Sequence, residues 1–314
     1  MSEHDEQWER KVLIKLAESG VREQRRARRW GIFFKLLTFV YITAVLVLYT
    51  DPQLTQSARM TEKHTALVEL NGIIADGSEA SADNIVTALR DAFEDENTAG
   101  VILRINSPGG TPVQAGYIYD EIKRLKQKHA DTPVYAVITD VCASGGYYVA
   151  SATDRIFADK ASIVGSIGVR MDNFGFVEAM KKLGVERRTL TAGENKALLD
   201  PFLPVDEATR RHMQGMLEDI HRQFIDAVKQ GRGDRLKNDV DGLFSGLIWT
   251  GQQSLELGLV DELGSASYVA REVIGEETII EYAVTEDLLE RLAGRVGASM
   301  ARVLHRQLSV PLLR

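Results

Sequence analysis

One cysteine, Cys142, in 314 residues excludes an intrachain disulfide. It stands two residues before a serine, and as a small residue in an apolar setting it reads as packing rather than as a nucleophile. Positive charge is in deficit: 38 Lys and Arg against 45 Asp and Glu leave a net charge of -7, which argues against nucleic acid as a partner. The chain has no internal repeat and no low-complexity tract. Its six histidines, His4, His64, His129, His212, His221 and His305, all fall away from the predicted carboxyl ends of strands. Nothing therefore supports a Ser-His-Asp triad. No metal or cofactor is expected.

Long apolar runs are also scarce, and the exception lies near the start. Arg22, Arg25, Arg26, Arg28 and Arg29 precede Trp30–Tyr49, an apolar stretch whose one charge is Lys35. As a helix, a stretch of that length spans about 30 Å, the thickness of a bilayer's hydrocarbon core. Trp30 and Tyr49 mark the two interfaces, and Asp51-Pro52 stops the helix. The expectation is a basic cytoplasmic leader over 1–29 and a retained membrane anchor over 30–50. Lipid contacts the anchor, and the chain beyond it lies outside the cytoplasm of a bacterial cell. A polar linker follows over 51–64.

From residue 65 strand-like and helix-like segments alternate, which predicts an α/β domain with a mainly parallel sheet over 65–280. Strands are expected at Thr65–Leu70, 100–106, 134–139, Arg155–Ala158 and Val185–Leu190. Ser81 reads as the cap of a helix bearing Ile85, Leu89 and Phe93. Another helix carries Ile118, Ile122 and Leu125, with lysines on its other faces. A long helix over about 206–230 turns Met213, Met216, Leu217, Ile220, Phe224 and Val228 inward. A C-terminal helical segment closes the chain over 281–314.

In open parallel sheets functional groups gather at the carboxyl ends of strands. Two loops sit there, Ser107-Pro-Gly-Gly-Thr111 and Ala143-Ser-Gly-Gly146. Ser144 at a strand-to-helix corner is either a helix N-cap or a nucleophile flanked by unpartnered backbone amides. A serine needs a base, and with histidine unsupported a neutral lysine is the known alternative. Two loop lysines qualify. Lys160 adjoins Asp159, which favours its charged form. Lys196 precedes an apolar stretch that would desolvate it.

The order and spacing of these blocks resemble the signal peptide peptidase A family, within the Clp protease/crotonase-like superfamily. The matching stretches are Leu103–Gly110, Ala143–Tyr148, Val164–Val169, Lys196 with Asp200–Phe202, Trp249–Gln252 and Leu257–Asp261. The resemblance implies Ser144 as nucleophile, Lys196 as general base and Ser166 as the hydroxyl that orients the lysine. It implies Gly110 and Gly145 as oxyanion donors. It further implies a single-domain homo-oligomer whose active sites are shared between subunits. Its substrates would be cleaved signal peptides and other hydrophobic or unfolded polypeptides. The rivals are a membrane peptidase of the SohB or NfeD-associated type with narrower substrates, a crotonase-like acyl-CoA enzyme, and a silent membrane scaffold.

Overall fold

The computed structural model describes residues 23–43, 45, 62–237 and 240–283. The chain divides into two compact units, 1–61 and 62–314. In the first, residues 23–43 form helix α1. Among the described residues no helix is long and apolar enough to cross a membrane. The expected anchor over 30–50 is only partly covered, because residues 44 and 46–50 lie outside the described residues. Linker residues 51–61 and the expected C-terminal helix beyond residue 283 lie outside them too.

The second unit is a mixed α/β fold built on one mostly parallel sheet. In chain order it runs β1 (His64–Asn71), α2 (Ala82–Glu94), β2 (Thr98–Ser107), α3 (Pro112–Lys128), β3 (Val134–Ala143), α4 (Gly145–Ala150), β4 (Arg155–Ala158) and β5 (Ile163–Gly165). Then follow α5 (Val177–Leu183), α6 (Glu207–Arg232), β6 (Ile248–Thr250), α7 (Gly251–Leu257), β7 (Glu262–Leu263), α8 (Ala266–Tyr268) and β8 (Ile279–Tyr282). The sheet order is β6-β5-β3-β2-β1-β8, with β4 beside β3 and β7 beside β4, and among the described residues only β5 and β6 pair antiparallel.

Alternation along the strands decides what each face buries. Leu67, Ile102, Val137 and Phe157 form one buried cluster with Val269 and Ala270 from the turn of helix after α8. The opposite set, including Val68, Leu103 and Ala136, is fully buried as well. The buried stripes of α2 and α3 follow the expected spacing, with Ile85, Leu89 and Phe93 on one and Ile118, Ile122 and Leu125 on the other. Ser81 caps α2 as expected, accepting from the Asn84 amide. The lysines of α3 are not all free in solvent: Lys126 pairs with Asp154 at 2.7 Å.

β3 is the pivot of the sheet, because it forks. Its first half, Tyr135–Ile138, pairs with β4, and its second half, Val141–Ala143, pairs with β5. The strand expected to stop at 139 therefore runs on to the residue before Ser144.

Two expectations fail. Val185–Leu190 is not a strand; Leu190 is 99% exposed and the segment has no pairing partner among the described residues. In α6 the inward face is confined to the C-terminal half, where Phe224, Ala227, Val228 and Arg232 are buried. Met213, Met216, Leu217 and Ile220 are not buried, and no residue from 168 to 223 is. The buried end of α6 is tied down by charge. Arg232, 1% exposed, donates to both Asp261 oxygens at 2.7 and 2.9 Å and to the Gly258 carbonyl at 2.9 Å.

Candidate active site

Ser144 stands where β3 ends and α4 begins, with φ +53° and ψ -123°. Left-handed φ is uncommon for a non-glycine residue and costs about 1–3 kcal/mol. Two backbone bonds hold it there: its amide donates to the Gly165 carbonyl at 2.8 Å, and its carbonyl accepts from Tyr148 at 3.0 Å. Its side chain makes no capping hydrogen bond to α4. The capping alternative therefore fails, and the partly exposed hydroxyl is left for another partner.

The Pro-Gly-Gly loop lies directly against this serine. Gly109 has φ +105°, and a Cβ there would stand 2.7 Å from the Ser144 Cβ and 2.8 Å from the Gly145 nitrogen. Only glycine permits that approach. Ser107 shapes the loop from beneath: its buried hydroxyl donates to Gly72 at 2.6 Å and accepts from the Gly109 amide at 3.1 Å. Gly110 bridges in parallel to Ile74. In that bridge Ile74 donates to the Gly109 carbonyl and accepts from the Thr111 amide, at 2.9 and 2.8 Å. The amide of Gly110 consequently points away from Ile74, and a Cβ on Gly110 would fall on the Ile74 carbonyl.

Gly145 opens α4, so its amide is one of the helix's orphan donors. A Cβ on Gly145 would stand 3.2 Å from the Gly110 nitrogen, so the two amides are neighbours. Neither has a hydrogen-bond partner among the described residues. Two unpartnered amides beside a serine hydroxyl are what a developing oxyanion requires.

Ser166 is brought to the same place by β5. Ala143 pairs with Gly165, and Ser166 follows with φ +52°, its amide donating to the Leu247 carbonyl at 2.7 Å. Cys142 is fully buried, and burial pushes its thiol up, so it is a packing residue as expected.

The lysines are not brought together with these groups. Lys196 is exposed on the loop after residue 190, and its side chain makes no hydrogen bond or ion pair among the described residues. Its loop is nevertheless ordered. Asn173 donates to the Leu199 carbonyl at 2.9 Å, Phe176 donates to the Pro201 carbonyl at 2.7 Å, and Arg187 pairs with Asp200 at 2.9 Å. Lys160 is exposed as well, in the turn after β4, where its carbonyl accepts from Gln252 at 3.1 Å. Gly109 lay in a loop the sequence singles out but was given no role of its own, and Ile74 was missed. The paired glycines were the available signal for the first; nothing local marks the second.

Comparison with known proteins decides the family. The model of peptidase family S49 matches residues 126–278. A putative signal peptide peptidase SppA from Enterococcus faecium is 31% identical over 246 residues, 74% of this chain and 70% of that protein. The chain belongs to the SppA family of serine peptidases, family S49. A probable protease SohB from Haemophilus influenzae is 31% identical to this S49 chain over 208 residues, 66% of it and 58% of that protein. A Na(+)/H(+) antiporter NhaA from Brucella abortus (strain 2308) is 43% identical over 224 residues, 70% of this chain. The matched part spans 30% of that longer protein.

Proposed function

We propose that this protein is a membrane-anchored Ser-Lys endopeptidase of the Clp protease/crotonase-like fold, with its peptidase domain over 65–280. Ser144 Oγ attacks a peptide carbonyl while a neutral lysine amine takes its proton. The Gly110 and Gly145 amides hold the resulting oxyanion. The lysine returns the proton to the leaving amine as the C–N bond breaks, and water activated by the same amine hydrolyses the ester. Lys196 is that base, oriented by the Ser166 hydroxyl, and it is supplied by a second copy of the chain.

The observation that carries the reading is the pair of unpartnered amides at Gly110 and Gly145, set against a serine that does not cap its helix. Supply of the base from another copy is supported by the exposed position of Lys196, within a stretch of more than fifty residues that has no core of its own. Residues 30–50, apolar and preceded by arginines, are the anchor, held in the bacterial inner membrane with the peptidase domain outside the cytoplasm. The substrates are hydrophobic or unfolded polypeptides, cleaved signal peptides among them.

A fluorophosphonate probe on detergent-solubilised protein tests this. Wild type labels and cleaves casein; Ser144→Ala loses both, and Lys196→Ala loses turnover. Mixing the two variants restores activity if sites are shared. Labelling that survives Ser144→Ala overturns the nucleophile, and mixtures that stay inactive overturn the shared site.

A further inference from the structure

The turn that presents Ser166 is gripped from three sides, and one grip is a histidine on a distant helix. Gly165 and Ser166 are left-handed in succession, at φ +106° and +52°. Such a conformation persists in a serine only when its surroundings impose it. The Leu247 carbonyl takes the Ser166 amide at 2.7 Å. Trp249 of β6 lies on Gly165: a Cβ there would stand 3.0 Å from the indole Cδ1 and 3.1 Å from the Leu247 oxygen. On the far side Ile167 is fully buried, and its carbonyl accepts from His221 Nε2 at 3.1 Å. A carbonyl only accepts, so Nε2 carries the proton.

The place of His221 on α6 gives this bond its meaning. His221, Phe224 and Val228 share one face of the helix; Phe224 and Val228 are buried, and nothing N-terminal to His221 on α6 is. His221 is thus where α6 leaves the body of the domain. The overhanging turns, through Met213, Gln214 and Leu217, instead line an apolar cleft of about 270 Å³ with Phe174, Leu199 and Leu203. That cleft belongs to the lobe bearing Lys196. One imidazole therefore sits at the joint between the Lys196 lobe and the Ser166 turn.

We propose that His221 is a positioning residue: its Nε2–H bond to the Ile167 carbonyl fixes the turn that presents the Ser166 hydroxyl to the incoming lysine. The inference rests on the Ser-Lys reading, since Ser166 matters there as the hydroxyl that orients the base. It predicts a defect in turnover rather than in substrate binding.

The test compares His221→Leu with His221→Gln in the full-length, detergent-solubilised protein, with Ser144→Ala alongside. Losing the donor in His221→Leu lowers kcat and the fluorophosphonate labelling rate by about 10-fold or more, with KM within about 2-fold of wild type. A glutamine amide can donate to the same carbonyl, and His221→Gln recovers to within about 3-fold of wild-type kcat. Wild-type kcat in His221→Leu overturns the proposal. So does a His221→Gln variant that folds and is no faster than the leucine variant. If His221→Leu does not fold, His221→Gln decides alone, near-normal turnover supporting the donor and a 10-fold loss overturning it. If Ser144→Ala stays active, the peptidase reading falls separately. The histidine is then judged by amide hydrogen exchange at residues 165–168, which quickens in His221→Leu and not in His221→Gln; equal exchange in both overturns it.

Discussion

Gly109 carries more of the site than its place in a common turn suggests. With φ +105° and Ser144 Cβ 2.7 Å from where a methyl would stand, alanine there must displace either the loop or Ser144. Gly109→Ala is expected to cost about 1–3 kcal/mol in urea unfolding and to lower kcat by about 100-fold, KM changing less. A second residue-scale expectation concerns acid. Hydrogen bonds from Arg124 at 2.6 and 2.9 Å, and then from Arg90 at 2.6 Å, pull the Glu121 carboxyl from 4.5 down to about 2, against the opposing effect of burial. A depressed carboxyl stabilises the fold fully above its unfolded value and loses that contribution as pH falls. Unfolding free energy should therefore drop between about pH 4.5 and 2, and Glu121→Gln should flatten that part of the profile. At this scale the site was partly legible. Ser144 and the two glycine loops were legible as neighbours because each follows a parallel strand's carboxyl end, while the roles expected of Gly110 and Gly145 came from the family resemblance. The left-handed φ of Ser144 was not legible, because it is imposed by a bond to Gly165, twenty-one residues away.

Among the elements, α6 shows both the reach of periodicity and where it stops. Its apolar spacing continues from Met213 to Val228, and only the C-terminal part meets the chain's own core. A hydrophobic stripe records that a face is covered, not by whom. Val185–Leu190 failed for a related reason: alternation predicts a strand, but a strand needs an edge to pair with. The parallel core strands and the capped α2 were legible because their signals are local. The Arg232–Asp261 pair was not, since it joins α6 to the turn before β7 across 29 residues. It also yields a test. Arg232→Ala leaves a carboxylate that is 10% exposed, still accepting from the Ile156 amide at 2.7 Å, with only the more exposed Arg235 at 3.2 Å as a cation partner. The expected loss is about 3 kcal/mol by denaturant titration, the low end for breaking a buried pair because Arg235 remains. Arg232→Ala with Asp261→Asn should lose less than the single change, because the buried carboxylate is gone and the charge left without its partner, Arg235, is 40% exposed.

For the whole molecule, the apolar surface over 168–223 sets the expectation. Phe174 and Leu190 are 74% and 99% exposed, an arrangement a soluble surface does not favour. Phe174→Asp and Leu190→Asp are predicted to lower the mass found by light scattering and to abolish casein cleavage, while circular dichroism of the domain stays as in wild type. An unchanged mass with full activity would remove the case for a shared site. The forked strand has a further consequence, in time rather than in space. Tyr135–Ile138 is clamped between β2 and β4 along its length, whereas Val141–Ala143 pairs with β5, only three residues long, and meets β2 through Cys142 alone. One continuous strand is thus split into two regions of unequal local stability. Amides at 141–143 should exchange with deuterium well before those at 135–138. The residues that lead into Ser144 can then open while the core a few residues earlier stays closed.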